Sequence, residues 1–236
     1  MMIRVFIGYD PKETVAYNVL AHSIEINASQ TVAIAPVMLK HVQSFHTRPR
    51  NNLSSTEFSM TRFLVPFLCN YEGWAVFMDC DMLVRADMAE LWELRDERFA
   101  LQVVKHDHRP DNDVKFLNQP QTKYEKKNWS SVMLMNCAKC KALTPDYVNR
   151  ASGLELHQFK WLDDDSLIGE IPHEWNHLVG YDAYNPGAKN VHFTEGGPYF
   201  VEYDGCDYSS DWHQMKEKML FVQQRDVAAA GMKKAN

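Results

Sequence analysis

Two aspartates, Asp79 and Asp81, directly follow the apolar run Trp74–Met78. A continuous apolar run predicts a central strand buried on both faces, and ligands of open α/β sheets bind where such strands end. Two carboxylates this close are costly to bury unless a cation neutralises them. Oxygen ligands favour Mg²⁺ or Mn²⁺, and either ion can bridge to the phosphates of a nucleotide. Because D-x-D alone is common, the alternative is that both aspartates are turn formers or helix caps.

The elements before these aspartates predict an α/β sheet. Residues 3–7 form a short apolar run ended by a glycine, which predicts a buried strand. Asp10 and Pro11, with Glu13 three residues after the cap, are typical of a helix start. Residues 32–39 predict a second strand, and the order strand, helix, strand favours the α/β class. The predicted apolar face of the helix consists of Val15, Val19, Leu20 and Ile24.

The remaining elements follow from shorter patterns. Residues 56–69 have mixed helical periodicity, and Pro66 is expected to bend or close that helix. Residues 105–128 are polar over a long stretch, which is typical of a functional flap or a mobile loop. The other predicted elements are a loop at 48–55, helices at 89–94, 161–168 and after Asp211, and strands at 99–104 and 132–135.

The composition is that of an ordinary globular protein. The 236 residues are 45% apolar and 24% charged, which predicts a single domain, 1–236, with a core at about 3–205 and a C-terminal helix and tail at 211–236. The 25 basic and 31 acidic residues give a net charge of −6, which disfavours nucleic acid as a partner. No stretch approaches the roughly 20 apolar residues of a membrane span, and no secretion signal is evident, so we expect a cytoplasmic protein of open oligomeric state. The lone C-x-x-C at 137–140 lacks the further ligands of a zinc site.

Seven segments, in order, resemble the glycogenin and bacterial galactosyltransferase family of nucleotide-sugar glycosyltransferases. The apolar strand with its D-x-D is similar to the metal-binding signature of the GT-A fold. The other matching segments are IGYD at 7–10, SMTRFLVP at 59–66, SSVMLMN at 130–136, DDDSL at 163–167, EIPHEWN at 170–176 and HFTEGGPY at 192–199. The resemblance spans roughly residues 3–200 and implies a GT-A fold, with a Rossmann-like mixed central sheet flanked by helices.

The resemblance also implies a reaction and a set of site residues. The implied reaction transfers a sugar from a nucleotide sugar, a UDP-sugar in this family, to a glycan or other hydroxyl acceptor with retention of configuration. The implied ligands of Mn²⁺ or Mg²⁺ are Asp79, Asp81 and His192. The implied donor-binding residues are Gly8, Tyr9, Asp10, Arg62, Cys80, Gly196 and Gly197. The acidic cluster Asp163, Asp164 and Asp165 falls beside the donor sugar, with Asp164 at the position of the candidate nucleophile.

Several alternatives stay open at this point. Arg62 is equally a solvated helix arginine, Asp10 a plain N-cap, and Gly196 and Gly197 a turn. His173 and His177 spell the zinc-peptidase motif H-E-x-x-H, but Pro172 and Gly180 leave barely two turns for the helix that motif needs. A nucleotidyltransferase on a related sheet and a non-catalytic nucleotide-sugar or glycan-binding module are the other functional hypotheses.

Overall fold

The structure is a computed structural model that describes residues 2–49, 56–107 and 125–221, and the backbone alone of 114–115 and 119–120. Its strands are β1 (Ile3–Gly8), β2 (Val32–Val37), β3 (Trp74–Met78), β4 (Met82–Val84), β5 (Leu101–Val103), β6 (Val114–Lys115), β7 (Gln119–Pro120), β8 (Val132–Asn136), β9 (Ile168–Glu170), β10 (His177–Leu178) and β11 (Asn190–His192). Its helices are α1 (Thr14–Asn27), α2 (Leu39–Val42), α3 (Val65–Leu68), α4 (Met88–Glu93), α5 (Pro145–Arg150), α6 (Gly153–His157) and α7 (Ser209–Leu220).

The larger sheet has six strands in the order β2-β1-β3-β8-β5-β9. β1 pairs in parallel with β2 and β3, and β5 pairs in parallel with β9. β8 is antiparallel to both β3 and β5, so the sheet is mixed, as predicted. A smaller sheet has the order β10-β11-β4, and β6 pairs with β7 in a third. The direct passage from β3 to β4 therefore connects the two main sheets.

β3 lies near the centre of the larger sheet, and its burial agrees with that position. All five of its side chains are buried, as expected of a strand covered on both faces. On α1, Val19, Leu20 and Ile24 are fully buried, which confirms most of the predicted apolar face. Val15 is 44% exposed, so its assignment to that face is wrong. It lies in the first turn of α1, before the helix reaches the core.

The middle of the chain departs most from the prediction. The chain over 56–69 forms turns, a 3₁₀ turn at Thr61–Leu64 and the short helix α3. Pro66 lies at the start of α3 rather than bending or ending a helix, because its fixed φ suits a first turn. The helix predicted at 161–168 is also wrong, since only Asp165–Leu167 forms a 3₁₀ turn there. Instead, the chain forms α5 and α6 just before it.

The other predicted segments lie partly outside the described residues. Residues 50–55 of the predicted loop, 108–113, 116–118 and 121–124 of the predicted flap, and 222–236 of the predicted tail fall there. Within the flap, β6 and β7 form a short antiparallel pair, so that stretch is not wholly irregular. No described helix has the length and apolar character needed to cross a membrane. The single-domain assignment stays a prediction.

Candidate metal centre

The backbone around Asp79 and Asp81 is fixed on both sides. The Asp79 N–H donates to the carbonyl of Ser131, 3.0 Å away, in the turn before β8. The carbonyl of Asp81 accepts from the N–H of Phe193 at 2.9 Å. In the small sheet His192 is paired opposite Met82, the residue after Asp81. The pairing of β11 with β4 thus brings a histidine more than a hundred residues away beside the two aspartates.

Asp79, Asp81 and His192 form a compact group of ligand atoms, which we call the DxD centre. One atom from each side chain lies within 4.8 Å of the other two, and His192 Nε2 is 3.3 Å from Asp81 Oδ1. Asp79 Oδ1 and Asp81 Oδ1 are shielded from water, and among the described residues neither accepts a well-aligned hydrogen bond. Two carboxylates and an imidazole are suitable ligands for Mn²⁺, and buried carboxylate oxygens of this kind are expected at a cation site. The donor set therefore fits a divalent metal.

Asn176 determines which nitrogen of His192 faces the aspartates. Both protons of the Asn176 amide are used, in donation to Ser131 Oγ at 2.9 Å and to the carbonyl of Asn128 at 3.2 Å. Its oxygen must therefore accept from His192 Nδ1, 3.0 Å away. This hydrogen bond leaves Nε2 directed towards Asp81, which is the arrangement that orients histidine ligands in metal sites. Asn176 belongs to the segment 170–176 that carries the family resemblance, but its contact with His192 is not apparent from the sequence.

The pKa values of the DxD centre reflect its burial and its charges. Burial raises the pKa of Asp79 to about 6, although the Arg62 guanidinium opposes the shift. Burial disfavours the charged form of His192, but the carboxylates of Asp81 and Asp79 outweigh it and hold the pKa of the imidazole above its usual value. The negative charge of the Asp79 and Asp81 carboxylates can therefore be neutralised either by a proton on His192 Nε2 or by a divalent cation.

Arg62 is buried beside Asp79 and is not the solvated helix arginine considered above. Its Nη1 donates to the carbonyl of Ser130 at 2.9 Å and lies 2.8 Å from Asp79 Oδ1. The guanidinium also lies over the rings of Phe58 and Phe77, 5.3 and 5.1 Å from their centroids. In this arrangement Arg62 stabilises the ionised form of Asp79, and its Nη1 is already occupied by protein partners.

The loop after β1 lies next to the DxD centre because β1 and β3 are parallel, with Ile7 opposite Met78. Asp10 does cap the helical turn, since its Oδ1 accepts from Lys12 N at 2.9 Å, while Oδ2 accepts from Glu57 N at 3.0 Å. Both carboxylate oxygens of Asp10 therefore accept hydrogen bonds from backbone N–H groups. Tyr9 donates to or accepts from Thr14 Oγ1 at 2.8 Å.

The three glycines proposed for donor binding are packed against aromatic rings. A Cβ on Gly8 would lie 2.4 Å from the Phe58 ring. Gly196 has φ +130°, which favours glycine, and a Cβ there would meet the Tyr203 ring at 2.6 Å. A Cβ on Gly197 would meet Tyr199 at 2.5 Å. These positions require glycine because protein rings approach them closely, a requirement that exists without any phosphate.

Glu13 is a buried carboxyl that the sequence analysis interpreted only as part of a helix start. Its Oε1 accepts from the Tyr199 hydroxyl at 2.9 Å, and its Oε2 lies 3.5 Å from the Cys80 thiol. Burial, followed by the charge of Asp81, raises the pKa of Glu13 to about 8. Burial likewise raises the pKa of Cys80 well above its usual value, so this residue is a neutral neighbour of Glu13 in the core.

The acidic cluster contributes no ligand atom to the DxD centre. Asp163, Asp164 and Asp165 are exposed, and no carboxylate of the three belongs to the described group of metal-ligand atoms. Asp164 caps the following 3₁₀ turn by accepting from Ser166 N at 2.7 Å, and this hydrogen bonding lowers the pKa of its carboxyl. Asp165 pairs with Lys126 Nζ at 2.6 Å.

The peptidase alternative fails on secondary structure. His173 begins a 3₁₀ turn, His173–Asn176, and His177 is the first residue of β10. No α-helix carries the two histidines on one face, which the zinc-peptidase motif requires.

Cys137 and Cys140 of the C-x-x-C are free and buried, and Cys140 donates to the carbonyl of Ala100 at 3.3 Å.

Solved structures with the same fold are glycosyltransferases of the GT-A type. An active-site mutant of LgtC aligns with a TM-score of 0.62 at 10% identity, covering 94% of this chain and 98% of that one. The bifunctional glycosyltransferase WbbM aligns with a TM-score of 0.63 at 14% identity, and GlyE of Streptococcus pneumoniae with 0.61 at 12%. The alignments cover 94% and 92% of this chain, which spans only 52% of WbbM and 60% of GlyE. The fold is therefore the GT-A fold, as predicted.

Sequence comparison gives a closer relationship. The chain is 42% identical over 224 residues to Protein CDI of Arabidopsis thaliana, covering 91% of this chain and 86% of that protein. It belongs to the family of Protein CDI. No family model matches the chain.

Proposed function

We propose that the chain is a metal-dependent glycosyltransferase that moves a sugar from a nucleotide sugar to a hydroxyl acceptor, such as a glycan. The observation that carries this proposal is the convergence of Asp79, Asp81 and His192 at the end of the central strand of a GT-A fold. When bound there, Mn²⁺ or Mg²⁺ supplies a Lewis acid that offsets the charge developing on the leaving nucleoside diphosphate.

The loop after β1 is the proposed site for the nucleotide of the donor, a UDP-sugar. Gly8, Tyr9 and Asp10 lie at the same edge of the sheet as the DxD centre, where ligands of open α/β sheets bind. Asp10 contributes by holding the loop through its two backbone hydrogen bonds. Arg62 contributes by keeping Asp79 ionised, which a cation ligand requires.

We assign the reacting sugar to the acidic cluster. The exposed carboxylate of Asp164 is stabilised as an anion by its hydrogen bonds with Ser166, so it is suited to stabilise or attack an oxocarbenium-like centre. Asp163 and Asp165 position the sugar, with Asp165 oriented by Lys126. Retention of configuration and membership of the glycogenin and galactosyltransferase family form part of this proposal, through the sequence resemblance.

Hydrolysis of a panel of UDP-sugars with Mn²⁺ tests the proposal, after a thermal-shift screen has selected the donor. Activity is expected with one or more donors and should be abolished in Asp79→Ala and Asp81→Ala. Asp146→Ala, which removes an exposed aspartate in the first turn of α5, is the matched control and should retain full activity.

Two results would replace the proposal with an alternative. Release of pyrophosphate from a nucleoside triphosphate, without sugar transfer, would indicate a nucleotidyltransferase. Tight, Mn²⁺-dependent binding of a UDP-sugar with neither hydrolysis nor transfer to any acceptor would indicate a binding module.

A further inference from the structure

A second group of candidate ligand atoms is formed by His106, His173 and Asp182. One atom from each lies within 4.8 Å of the others. His173 Nε2 is 3.5 Å from Asp182 Oδ2, and the His106 and His173 rings meet edge to face with centroids 5.0 Å apart. We propose that these three side chains bind Zn²⁺ at a site separate from the DxD centre and independent of sugar transfer.

The topology of the sheets explains why these residues meet. β5 and β9 are parallel neighbours, and their register continues to Ile171, whose N–H donates to the carbonyl of Val103 at 3.0 Å. His106 and His173 each follow their strand by three residues, so both lie at the same edge of the sheet. Asp182 is brought to them by the turn after β10, where its Oδ2 accepts from Leu178 N at 2.7 Å.

The donor set and its spacing fit zinc better than a hard cation. Two imidazoles with one carboxylate favour Zn²⁺ and similar transition ions, whereas Mg²⁺ favours oxygen ligands. Tetrahedral bonds of about 2.05 Å place neighbouring ligand atoms about 3.4 Å apart. The separation between His173 Nε2 and Asp182 Oδ2 is 3.5 Å. The His173 side chain is 52% exposed, so water can reach the remaining coordination position.

His177, the other histidine of the H-E-x-x-H motif, adds a fourth candidate ligand atom beside this group. The Tyr208 hydroxyl donates its one proton to the carbonyl of Asn185 at 2.8 Å, so His177 Nε2 must donate to that hydroxyl, 3.1 Å away. His177 Nδ1 then carries a lone pair and lies 3.8 Å from Asp182 Oδ2. A lone pair facing a carboxylate is favourable when a cation binds between or beside them.

Binding of Co²⁺, a spectroscopic substitute for Zn²⁺, tests the site in the full chain. The unsubstituted protein is expected to show the visible absorption of Co²⁺ in a low-symmetry site, removed by stoichiometric Zn²⁺. His173→Ala should weaken Co²⁺ and Zn²⁺ binding at least about tenfold, as loss of a ligand does at least as much as loss of an outer-shell partner. His213→Ala, which removes another exposed histidine paired with an aspartate, is the matched control and should leave the band unchanged.

A second measurement avoids substitution altogether. In the unsubstituted chain, Zn²⁺ should slow modification of His173 by diethyl pyrocarbonate, followed by peptide mass spectrometry, while His213 reacts at its original rate. A cobalt band of undiminished intensity in His173→Ala, or equal reaction of His173 with and without Zn²⁺, overturns the proposal. Complete loss of the band in Asp81→Ala also overturns it, because the ion would then belong to the DxD centre. Failure of the glycosyltransferase assay leaves these results unaffected.

Discussion

Replacement of Glu13 by glutamine should stabilise the fold, and increasingly so as the pH rises. The ordinary pKa of this carboxyl is 4.5, and its pKa in the folded chain is about 8, chiefly because of burial. Between these values the folded state holds a proton that the unfolded state has lost. Stability therefore falls by about 1.4 kcal/mol for each pH unit between them. Glutamine removes this cost, since it resembles the protonated acid and can still accept from Tyr199.

The size of the effect follows from the distance between the two pKa values. At pH 7, about 2.5 units above the ordinary pKa, the free energy of unfolding of the wild-type chain is lowered by about 3 kcal/mol, a loss that the Glu13→Gln variant does not suffer. Above pH 8 the difference in free energy of unfolding between the two proteins should level off between about 4 and 5 kcal/mol. For a chain of this size, 3 kcal/mol corresponds to an increase in melting temperature of roughly 6–12 °C.

Thermal and urea unfolding without divalent cations, at pH 5, 7 and 8.5, measure this difference. The two proteins should differ by less than about 1 kcal/mol at pH 5 and diverge steadily above it. Glu25→Gln, which makes the same change on the exposed side of α1, is the control for net charge. An equal difference between Glu13→Gln and wild type at pH 5 and 8.5 would show that Glu13 does not titrate in this interval, and the electrostatic reasoning would be refuted.

Three further predictions concern the site. Asn176→Ala removes the acceptor that orients His192, so Mn²⁺ affinity measured by calorimetry should fall about 10–100-fold, and an unchanged affinity would contradict the positioning role. Gly196→Ala should lower the melting temperature, because φ is +130° and the new Cβ meets the Tyr203 ring at 2.6 Å; an unchanged melting curve would rule out that close approach. Asp164→Asn keeps a good N-cap, so the fold should be intact while kcat falls far more than donor affinity, and equal losses in both would reject catalysis by this residue.

The strand that leads into the DxD centre is predictable from sequence because its signal is local. Five consecutive apolar residues are sufficient to identify a strand buried on both faces, and the aspartates follow at once. The helices α5 and α6 are equally local, and their start signals are present in the sequence. Thr144 precedes Pro145, and Ser152 with Glu155 forms a capping box. These caps mark the starts of the two helices that precede residues 161–168.

The partners of buried polar residues are much harder to predict. Glu13 fits the pattern of a helix start, yet its carboxyl contacts Tyr199, 186 positions later. Likewise, the sequence associates His192 with a metal only through family resemblance, whereas the structure shows Asn176 holding its imidazole. Such pairs depend on how β11 joins β4, and no local pattern encodes that pairing. The donor, the acceptor and the cytoplasmic location remain predictions.

The turn at Trp129–Ser131 has a consequence for interpreting variants of this protein. The carbonyl of Ser130 holds Arg62 against Asp79, while Ser131 binds the backbone of Asp79 and the amide of Asn176. This short turn therefore fixes the position of Asp79 and, through Asn176, the orientation of His192, although it contributes no metal ligand. A substitution at Ser131 would mimic the loss of a metal ligand in an enzyme assay, so a scan for inactive mutants would report more coordinating positions than the ion has.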